Sequence, residues 1–178
     1  MRNLYTIILL TLLSLLMPSL AAAQSFQNVS IADASTVCSI AQDEQGILWF
    51  GTDHGLYAYD GYRSIPHNTD ADGTPVIMRV HSMCIFKDML YMATERGLMA
   101  YDIRRGRYAE RTSGGMGEMR AVTIYGGRLW YGGAQGLFNR DLQTGTKRTE
   151  NSRLHNVYSL LPTRHGLLVG TLTGLTVL

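Results

Sequence analysis

The chain has 178 residues, and its 16 Lys and Arg residues nearly balance its 14 Asp and Glu residues, which gives a formal net charge of +2. Charges of both signs are interspersed, so the basic stripe that a nucleic-acid partner requires is missing and we expect no such partner. After the N-terminal leader, the sequence has no stretch long and apolar enough to predict a transmembrane segment.

The first 23 residues predict a secretory signal peptide. Arg2 supplies the positive charge near the start, residues 4–17 form an apolar core, and residues 21–23 are the small residues that precede a cleavage site. The alternative is a retained membrane anchor, but the apolar core has only 14 residues and is followed by Pro18, whereas a spanning helix needs about 20. We therefore expect cleavage before Gln24 and a periplasmic or extracellular mature protein.

One pattern recurs four times along the rest of the chain. Each copy has a short apolar strand, a turn, a second strand that ends in Gly or Thr, and a Gly-Leu pair that opens a third strand. The pairs begin at Gly55, Gly97, Gly136 and Gly174, so the steps are 42, 39 and 38 residues. A fixed period near 40 residues with several strands per unit is typical of a β-propeller, which has one sheet per repeat.

Each repeat is predicted to be a four-stranded meander, and no helix is expected in the mature chain. Residues 47–50 are apolar on both faces, as expected for a sheet that lies between two neighbours. Large side chains at one equivalent position are expected to fill the wedge between sheets: Trp49, Tyr91, Trp130 and Leu168. The predicted blades cover about residues 31–67, 76–111, 117–150 and 155–178, and residues 25–30 are a candidate closing strand.

The sequence predicts no catalytic residue, no metal site and no cofactor. The five histidines fall in different copies, with no spacing typical of a nucleophile or metal motif. Asn68, Asp70 and Asp72 resemble the start of an EF-hand calcium loop, but the bidentate Glu that such a loop needs at its twelfth position is Arg79 here. The two cysteines, Cys38 and Cys84, are expected to be buried free thiols rather than a disulfide, because the aligned repeats place them on opposite sheet faces.

A ring of such repeats would bind a ligand where two sets of loops share one rim of the central channel. The loops between the second and third strands vary while the framework around them stays constant, and the loops that enter the inner strands lie beside them. Arg, Glu, His and Gln side chains around one funnel suit a carbohydrate or a uronate, although turns are also polar simply because they face water. The candidate ligand-binding residues are Asp53, His54, Glu95, Arg96 and Gln135 from the first set, and Arg79, Glu118 and Asn156 from the second.

The first copy resembles the two-component regulator propeller repeat. The resemblance lies in residues 37–43, 46–52 and 55–61, and residues 26–29 are similar to the usual lead-in. It covers the whole mature chain but is weak in the fourth copy, where Leu168 replaces the aromatic residue. In that family the repeats build seven-bladed propellers, which are the periplasmic sensor region of hybrid two-component histidine kinases.

The resemblance implies a periplasmic sensor segment without catalytic activity, because no kinase residues are present in this chain. The partners that it implies are an oligosaccharide ligand, the remaining blades or a second propeller of the parent chain, and a second copy in a homodimer. The alternatives are an exported structural or interaction propeller attached to secretion or cell-surface machinery and, third, a propeller lyase.

The fourth copy leaves two architectures open, because its last strand reaches the end of the sequence and no outer strand follows. Either the chain is an incomplete part of a seven-bladed ring, or the candidate strand at residues 25–30 closes a four-bladed ring. We favour the first, because interior units of a repeat array need neighbours on both sides.

Overall fold

The computed structural model describes residues 28–31, 34, 36–111, 117–151 and 154–178. The predicted signal peptide, residues 1–23, lies outside them. The described residues form fifteen strands and no helix, as the repeat predicted. The strands, in chain order, are β1 (Val37–Gln42), β2 (Leu48–Thr52), β3 (Gly55–Tyr59), β4 (Ser64–Pro66), β5 (Val80–Phe86), β6 (Met89–Thr94), β7 (Gly97–Asp102), β8 (Arg107–Arg111), β9 (Met119–Tyr125), β10 (Arg128–Gly133), β11 (Gly136–Asp141), β12 (Lys147–Asn151), β13 (Val157–Thr163), β14 (Gly166–Thr171) and β15 (Gly174–Val177).

These strands form four antiparallel meanders in chain order. Blade 1 is β1–β4, blade 2 is β5–β8, blade 3 is β9–β12 and blade 4 is β13–β15. Blades 1 to 3 have the four strands that the repeat predicted, and blade 4 has three among the described residues, in agreement with the sequence of the fourth copy, which offered no outer strand. Leu178 extends the pairing of β15 through two backbone hydrogen bonds with Leu167.

The blades pack radially, flank to flank. Inner strand β1 packs against β5, β5 against β9, and β9 against β13. Small residues allow this approach, since a Cβ on Gly51 would lie 2.6 Å from Val80 Cγ1 and one on Gly132 would lie 2.7 Å from Val157 Cβ. The architecture is therefore an all-β propeller, as the 40-residue period predicted.

Each pair of neighbouring blades encloses its own apolar core. Trp49 of blade 1 lies with Tyr101 and Met83 of blade 2 in the first core, and Trp130 of blade 3 lies with Val157 of blade 4 in the third. Trp49 and Trp130 are two of the four predicted wedge residues. The second core lies between blades 2 and 3 and contains Ala93, Leu98, Met119, Val122, Leu129 and Tyr131, with the predicted Tyr91 partly buried against it.

Among the described residues, the two terminal blades each keep one open flank, because the main inter-blade contacts of β1 are with β5 and those of β13 are with β9. Apolar side chains are consequently exposed there, at Val37 and Ile40 on blade 1 and at Leu161, Leu175 and Val177 on blade 4. Residues 28–31 are in no strand. Residues 25–27 lie outside the described residues, so the closing strand stays a prediction.

The pairing of β1 with β2 corrects the prediction for the cysteines, because its register shifts between Val37 and Ser39 and leaves Cys38 outside the ladder. Cys38 lies on β1, the inner strand with an open flank, and it is exposed rather than buried. Cys84 is partly buried against the core between blades 2 and 3. Both are free thiols, as expected.

Candidate functional site

The two sets of loops that the sequence singled out are hydrogen-bonded to each other. The amide of Asp53 donates to the carbonyl of Thr36, and the amide of Glu95 donates to the carbonyl of Arg79, both at 3.2 Å. The amide of Asn156 donates to the carbonyl of Ala134 in the preceding blade, also at 3.2 Å. The turns between second and third strands and the segments entering the inner strands therefore lie on one rim of the propeller.

Threonine side chains hold the rim turns of the first two blades. Thr52 Oγ1 donates to the carbonyl of Gly55 at 2.9 Å and accepts from the amide of His54 at 3.0 Å. Thr94 makes the same pair of bonds with Gly97 and Arg96. Both threonines are fully buried, so each turn has a fixed base while its variable residues remain at the surface.

Blade 3 builds its rim differently, because Gly133 occupies the position of these threonines. A Cβ on Gly133 would collide with the backbone carbonyl oxygen of Glu118, the residue that precedes β9. Glycine thus allows the entering segment to pack directly against the end of β10. This close approach fixes the position of Glu118 at the rim.

All four inner strands carry a β-bulge at the same position. The pairing register shifts between Val80 and Ser82 on β5, and the equivalent shift recurs on β1, β9 and β13. A bulge leaves one residue outside the ladder and redirects its side chain. The four bulge residues are Cys38, His81, Arg120 and Tyr158.

The bulge residues of blades 2 to 4 form a network with Glu118, which we call the bulge network (His81, Glu118, Arg120 and Tyr158). Arg120 Nη2 donates to Glu118 Oε2 at 3.0 Å, and His81 Nε2 lies 3.1 Å from Glu118 Oε1. The guanidinium carbon of Arg120 lies 4.6 Å from the centroid of the Tyr158 ring, a cation–π distance. One carboxylate thus contacts blades 2 and 3, and Arg120 extends the chain of contacts to blade 4.

The electrostatics of the network follow from these contacts. The hydrogen bond from Arg120 lowers the pKa of Glu118, so this carboxylate is ionised at neutral pH. Burial lowers the pKa of His81, and the nearby Glu118 only partly opposes that effect. The charges of Arg79 and Glu95, two of the predicted site residues, also influence the pKa of His81.

The predicted site residues fall into three groups on this rim. Glu118 contacts His81, and Arg79 and Glu95 are near enough for their charges to shift its pKa. Asp53 and His54 contact each other on blade 1, with 3.3 Å between the carboxylate and Nδ1, and the Arg96 side chain lies 4.0 Å from that of Glu95. Asn156 lies at the junction between blades 3 and 4 through its bond to Ala134, whereas the Gln135 side chain lies beside Gly117 at the start of its own blade.

Three residues of the bulge network were not among the predicted site residues: His81, Arg120 and Tyr158. A signal for them existed, because the gap-free alignment of the repeats places Cys, His, Arg and Tyr at the second position of otherwise apolar inner strands. A polar residue at a fixed position in an apolar strand indicates that its side chain leaves the core.

No group of three or more potential metal ligands occurs in the part of the chain that the structure describes. In the loop that resembles an EF-hand, side-chain oxygens of Asn68, Asp70 and Asp72 each accept a hydrogen bond from a backbone amide. Within the described ranges, no helix is long and apolar enough to cross a membrane.

Comparison with known proteins gives both a family match and structural matches. The family described as two component regulator propeller matches residues 31–54. The extracellular domain of BT4673 from B. thetaiotaomicron, described as a hybrid two-component system, is 31% identical over 85% of this chain, with a TM-score of 0.74. The matched region is 21% of that domain, so the chain spans about a fifth of its relative's length. No curated protein matches the sequence.

Two further structures support the fold alone. The extracellular domain of BT3049, another protein of B. thetaiotaomicron described as a hybrid two-component system, is 23% identical over 85% of this chain and 25% of its own, with a TM-score of 0.68. The computationally designed Ika4 protein is 17% identical over 87% of this chain and 98% of its own, with a TM-score of 0.67. Together with the repeat pattern and the radial sheets, the match of residues 31–54 and the similarity to the BT4673 domain support the two-component regulator propeller family for this chain.

Proposed function

We propose that the chain is the ligand-binding segment of an exported sensor propeller, that it binds carbohydrate-type ligands at the rim described above, and that it has no catalytic activity of its own. The observation that carries the proposal is the 31% identity with the extracellular domain of BT4673. A periplasmic or extracellular location agrees with that relative and with the predicted signal peptide.

The rim chemistry supports a sugar ligand. Asp53, Glu95 and Glu118 offer carboxylates, while Arg79 and Arg96 offer guanidinium donors from neighbouring loops. Sugars are recognised by such mixed sets of donors and acceptors, placed on loops that a rigid scaffold holds. The buried threonines at the bases of the turns give this surface its scaffold.

The rim proposal can be tested with the purified chain and a panel of neutral and acidic oligosaccharides. A ligand at about 100 times its Kd stabilises a folded protein by about 2.7 kcal/mol, which corresponds to a rise in Tm of roughly 5–10 °C for a domain of this size. We expect His54→Ala and Arg96→Gln to reduce that rise. Glu44→Gln is the matched control, because Glu44 lies on the opposite rim, where it lines a shallow pocket between blades 1 and 2.

Two outcomes of this experiment would contradict the proposal. One is that no oligosaccharide in the panel raises Tm. The other is that Glu44→Gln abolishes the rise as completely as the rim variants do, because the ligand would then occupy the other end of the channel.

We further propose that additional blades of the parent chain pack on the open flank of blade 4. The BT4673 domain is about five times as long as the region that matches. The exposed apolar residues of blade 4, Leu161, Leu175 and Val177 among them, lie where an additional sheet would bury them. The alternative is the four-bladed ring closed by residues 25–30.

A substitution at Gly170 distinguishes a further blade from an open flank. Gly170 is equivalent to Gly132, whose missing side chain makes room for Val157 of the next blade. In the present chain, the three atoms nearest to a Cβ at Gly170 all belong to Ser159 of its own blade, and the closest of them, Oγ, is on an exposed side chain that can rotate away. We expect Gly170→Ala to leave Tm of this chain unchanged but to lower Tm of the full-length gene product, and equal tolerance in both would contradict packing of a further blade.

In the parent protein, we propose that ligand binding shifts the equilibrium between two arrangements of a periplasmic dimer and thereby the activity of a kinase across the membrane. A ligand can shift such an equilibrium only through a difference in affinity for the two states. A transcriptional reporter of the full-length system tests this step. Ligand-dependent output that His54→Ala and Arg96→Gln reduce is the expected result.

The second candidate function is an exported interaction propeller without signalling output. The apolar residues exposed on both terminal blades favour it, because such surfaces mark contacts with other proteins. The two functions differ in the reporter experiment, since an interaction propeller produces no ligand-dependent output. A lyase, the third alternative, would show turnover of uronate polymers.

A further inference from the structure

The bulge network is built from groups of three adjacent blades around one carboxylate. His81 comes from blade 2, Glu118 and Arg120 come from the start of blade 3, and Tyr158 comes from blade 4. Arg79 adds a further positive charge at this junction. Glu118 is the carboxylate that both His81 and Arg120 contact, and its side chain is 37% exposed.

Two nitrogen atoms in the side chains that contact Glu118 have no hydrogen-bond partner among the described residues. Arg120 Nη1 and His81 Nε2 are buried, and no described residue makes a hydrogen bond with either atom. His81 Nε2 is near Glu118 Oε1, but the two are not aligned for a hydrogen bond. Buried polar nitrogens of this kind normally have a partner, and both belong to side chains that contact Glu118, so their lack of one requires an explanation.

We propose that this junction is a carboxylate-binding site for an acidic sugar, and that Glu118 is an internal carboxylate which the ligand's carboxylate displaces. The inference rests on the proposed function and names the ligand class of that rim. A planar guanidinium binds a carboxylate through two parallel hydrogen bonds, and Glu118 uses only one of the two terminal nitrogens of Arg120.

Tyr158 completes the site as a surface for the sugar ring. Its side chain stacks near the guanidinium of Arg120, and the residue is 47% exposed. An exposed aromatic ring beside an anion-binding group can contact the apolar face of a sugar whose carboxylate binds to Arg120. The arrangement recognises the acid and the ring of one ligand together.

Displacement of Glu118 would also couple ligand binding to the contact between two blades. Glu118 contacts both His81 of blade 2 and Arg120 of blade 3. A ligand carboxylate that takes the place of Glu118 would contact these two residues instead, so the two blades would then be connected through the ligand. Gly117, just before it, has a φ of +61° that glycine adopts without strain. The ligand would thus change the contact between two blades at the point where it binds.

Calorimetric titration of the purified chain with glucuronate, glucose and acetate tests the inference. We expect glucuronate to bind more tightly than glucose and acetate. Glu118→Gln should tighten glucuronate binding by at least about tenfold, because the competing charge is removed and a charge-assisted hydrogen bond is worth a factor of that order. Arg120→Gln should weaken glucuronate binding by at least the same factor.

Arg128→Gln is the matched control for Arg120→Gln. Arg128 is in the same blade, its side chain is 28% exposed against 25% for Arg120, and it is paired with Asp141 rather than with the network. We expect this variant to bind glucuronate as the unchanged protein does. Circular dichroism of each variant checks that the fold is retained. Glu118→Gln is expected to bind glucuronate more tightly, and misfolding cannot produce tighter binding.

The outcomes separate this inference from the proposed function. If neutral oligosaccharides bind at the rim but glucuronate binds no better than glucose, the carboxylate site is wrong and the rim proposal stands. If acetate binds as tightly as glucuronate, the assignment to an acidic sugar is wrong. If Glu118→Gln does not tighten binding, Glu118 is not a competing internal carboxylate.

Discussion

The contact between Gly132 and Val157 gives a quantitative test of the radial packing. A Cβ at position 132 would lie 2.7 Å from both Cβ and Cγ1 of Val157 and 3.1 Å from its Cγ2, where ordinary contacts are about 3.5–4.0 Å. Val157 cannot easily yield, because it is completely buried, paired with Thr171 and stiff at χ1 as a β-branched residue. Gly132→Ala therefore overfills the core between blades 3 and 4.

Overfilling a packed core typically costs about 1–3 kcal/mol, and a domain of this size loses about 2–4 °C in Tm for each kcal/mol. We therefore expect Gly132→Ala to lower Tm by roughly 2–12 °C in a calorimetric melt. Gly170→Ala is the matched control, because it is the same substitution at the equivalent position of a blade with an open flank. A Tm for Gly132→Ala equal to or above that of Gly170→Ala would refute the packing argument.

The preceding interface suggests a compensating change. Where blade 2 has Ala93 rather than Gly, the residue of blade 3 equivalent to Val157 is the unbranched Met119, and both lie in one core. Methionine adapts its shape to a neighbour more readily than valine does. The double variant Gly132→Ala, Val157→Met recreates that pair, and we expect it to recover at least half of the loss in Tm.

Two further predictions concern the cysteines and histidines. Cys38 should react with a thiol reagent in the folded protein, whereas Cys84 should react only on unfolding, because burial raises its pKa to about 12; equally fast labelling of both would show that Cys84 is accessible. Burial also lowers the pKa of His67, so the folded state resists its protonation. The stability that neutral His67 contributes is complete above the unfolded value near 6.5 and is lost as pH falls from there through the folded pKa. The free energy of unfolding should therefore fall over this range, less steeply in His67→Gln, and an identical slope in both proteins would exclude His67 as a cause.

The sequence was sufficient for the fold because the decisive signals are local. The spacing of Gly55, Gly97, Gly136 and Gly174 marks one turn in each repeat, and the apolar runs around it read as strands buried on both faces. Trp49 and Trp130 lie in the cores between blades as predicted, since a large apolar side chain on a sandwiched sheet has no other place to be buried.

The site was less predictable because its contacts depend on pairing between segments distant in the sequence. The bulge at His81 exists only through the register of β5 against β6, and the contact with Glu118 requires the next blade to be in position. The prediction for Cys38 was wrong, because the residue was expected to be buried and is exposed. Its position in an apolar strand predicted burial, but Cys38 is the residue that the bulge on β1 leaves outside the ladder, so its side chain is exposed.

At the bulge that recurs on every inner strand, the two flanking residues pair with the next strand, whereas the residue between them is left outside the ladder. Val80 and Ser82 remain in the ladder whatever stands between them, and the same is true of the flanking residues on β9 and β13. Cysteine, histidine, arginine and tyrosine occupy that intervening position without altering the sheet. Sequence change there can alter the side chain that each inner strand carries outside the ladder while each blade keeps its pairing, so this position can vary at little cost to the sheet.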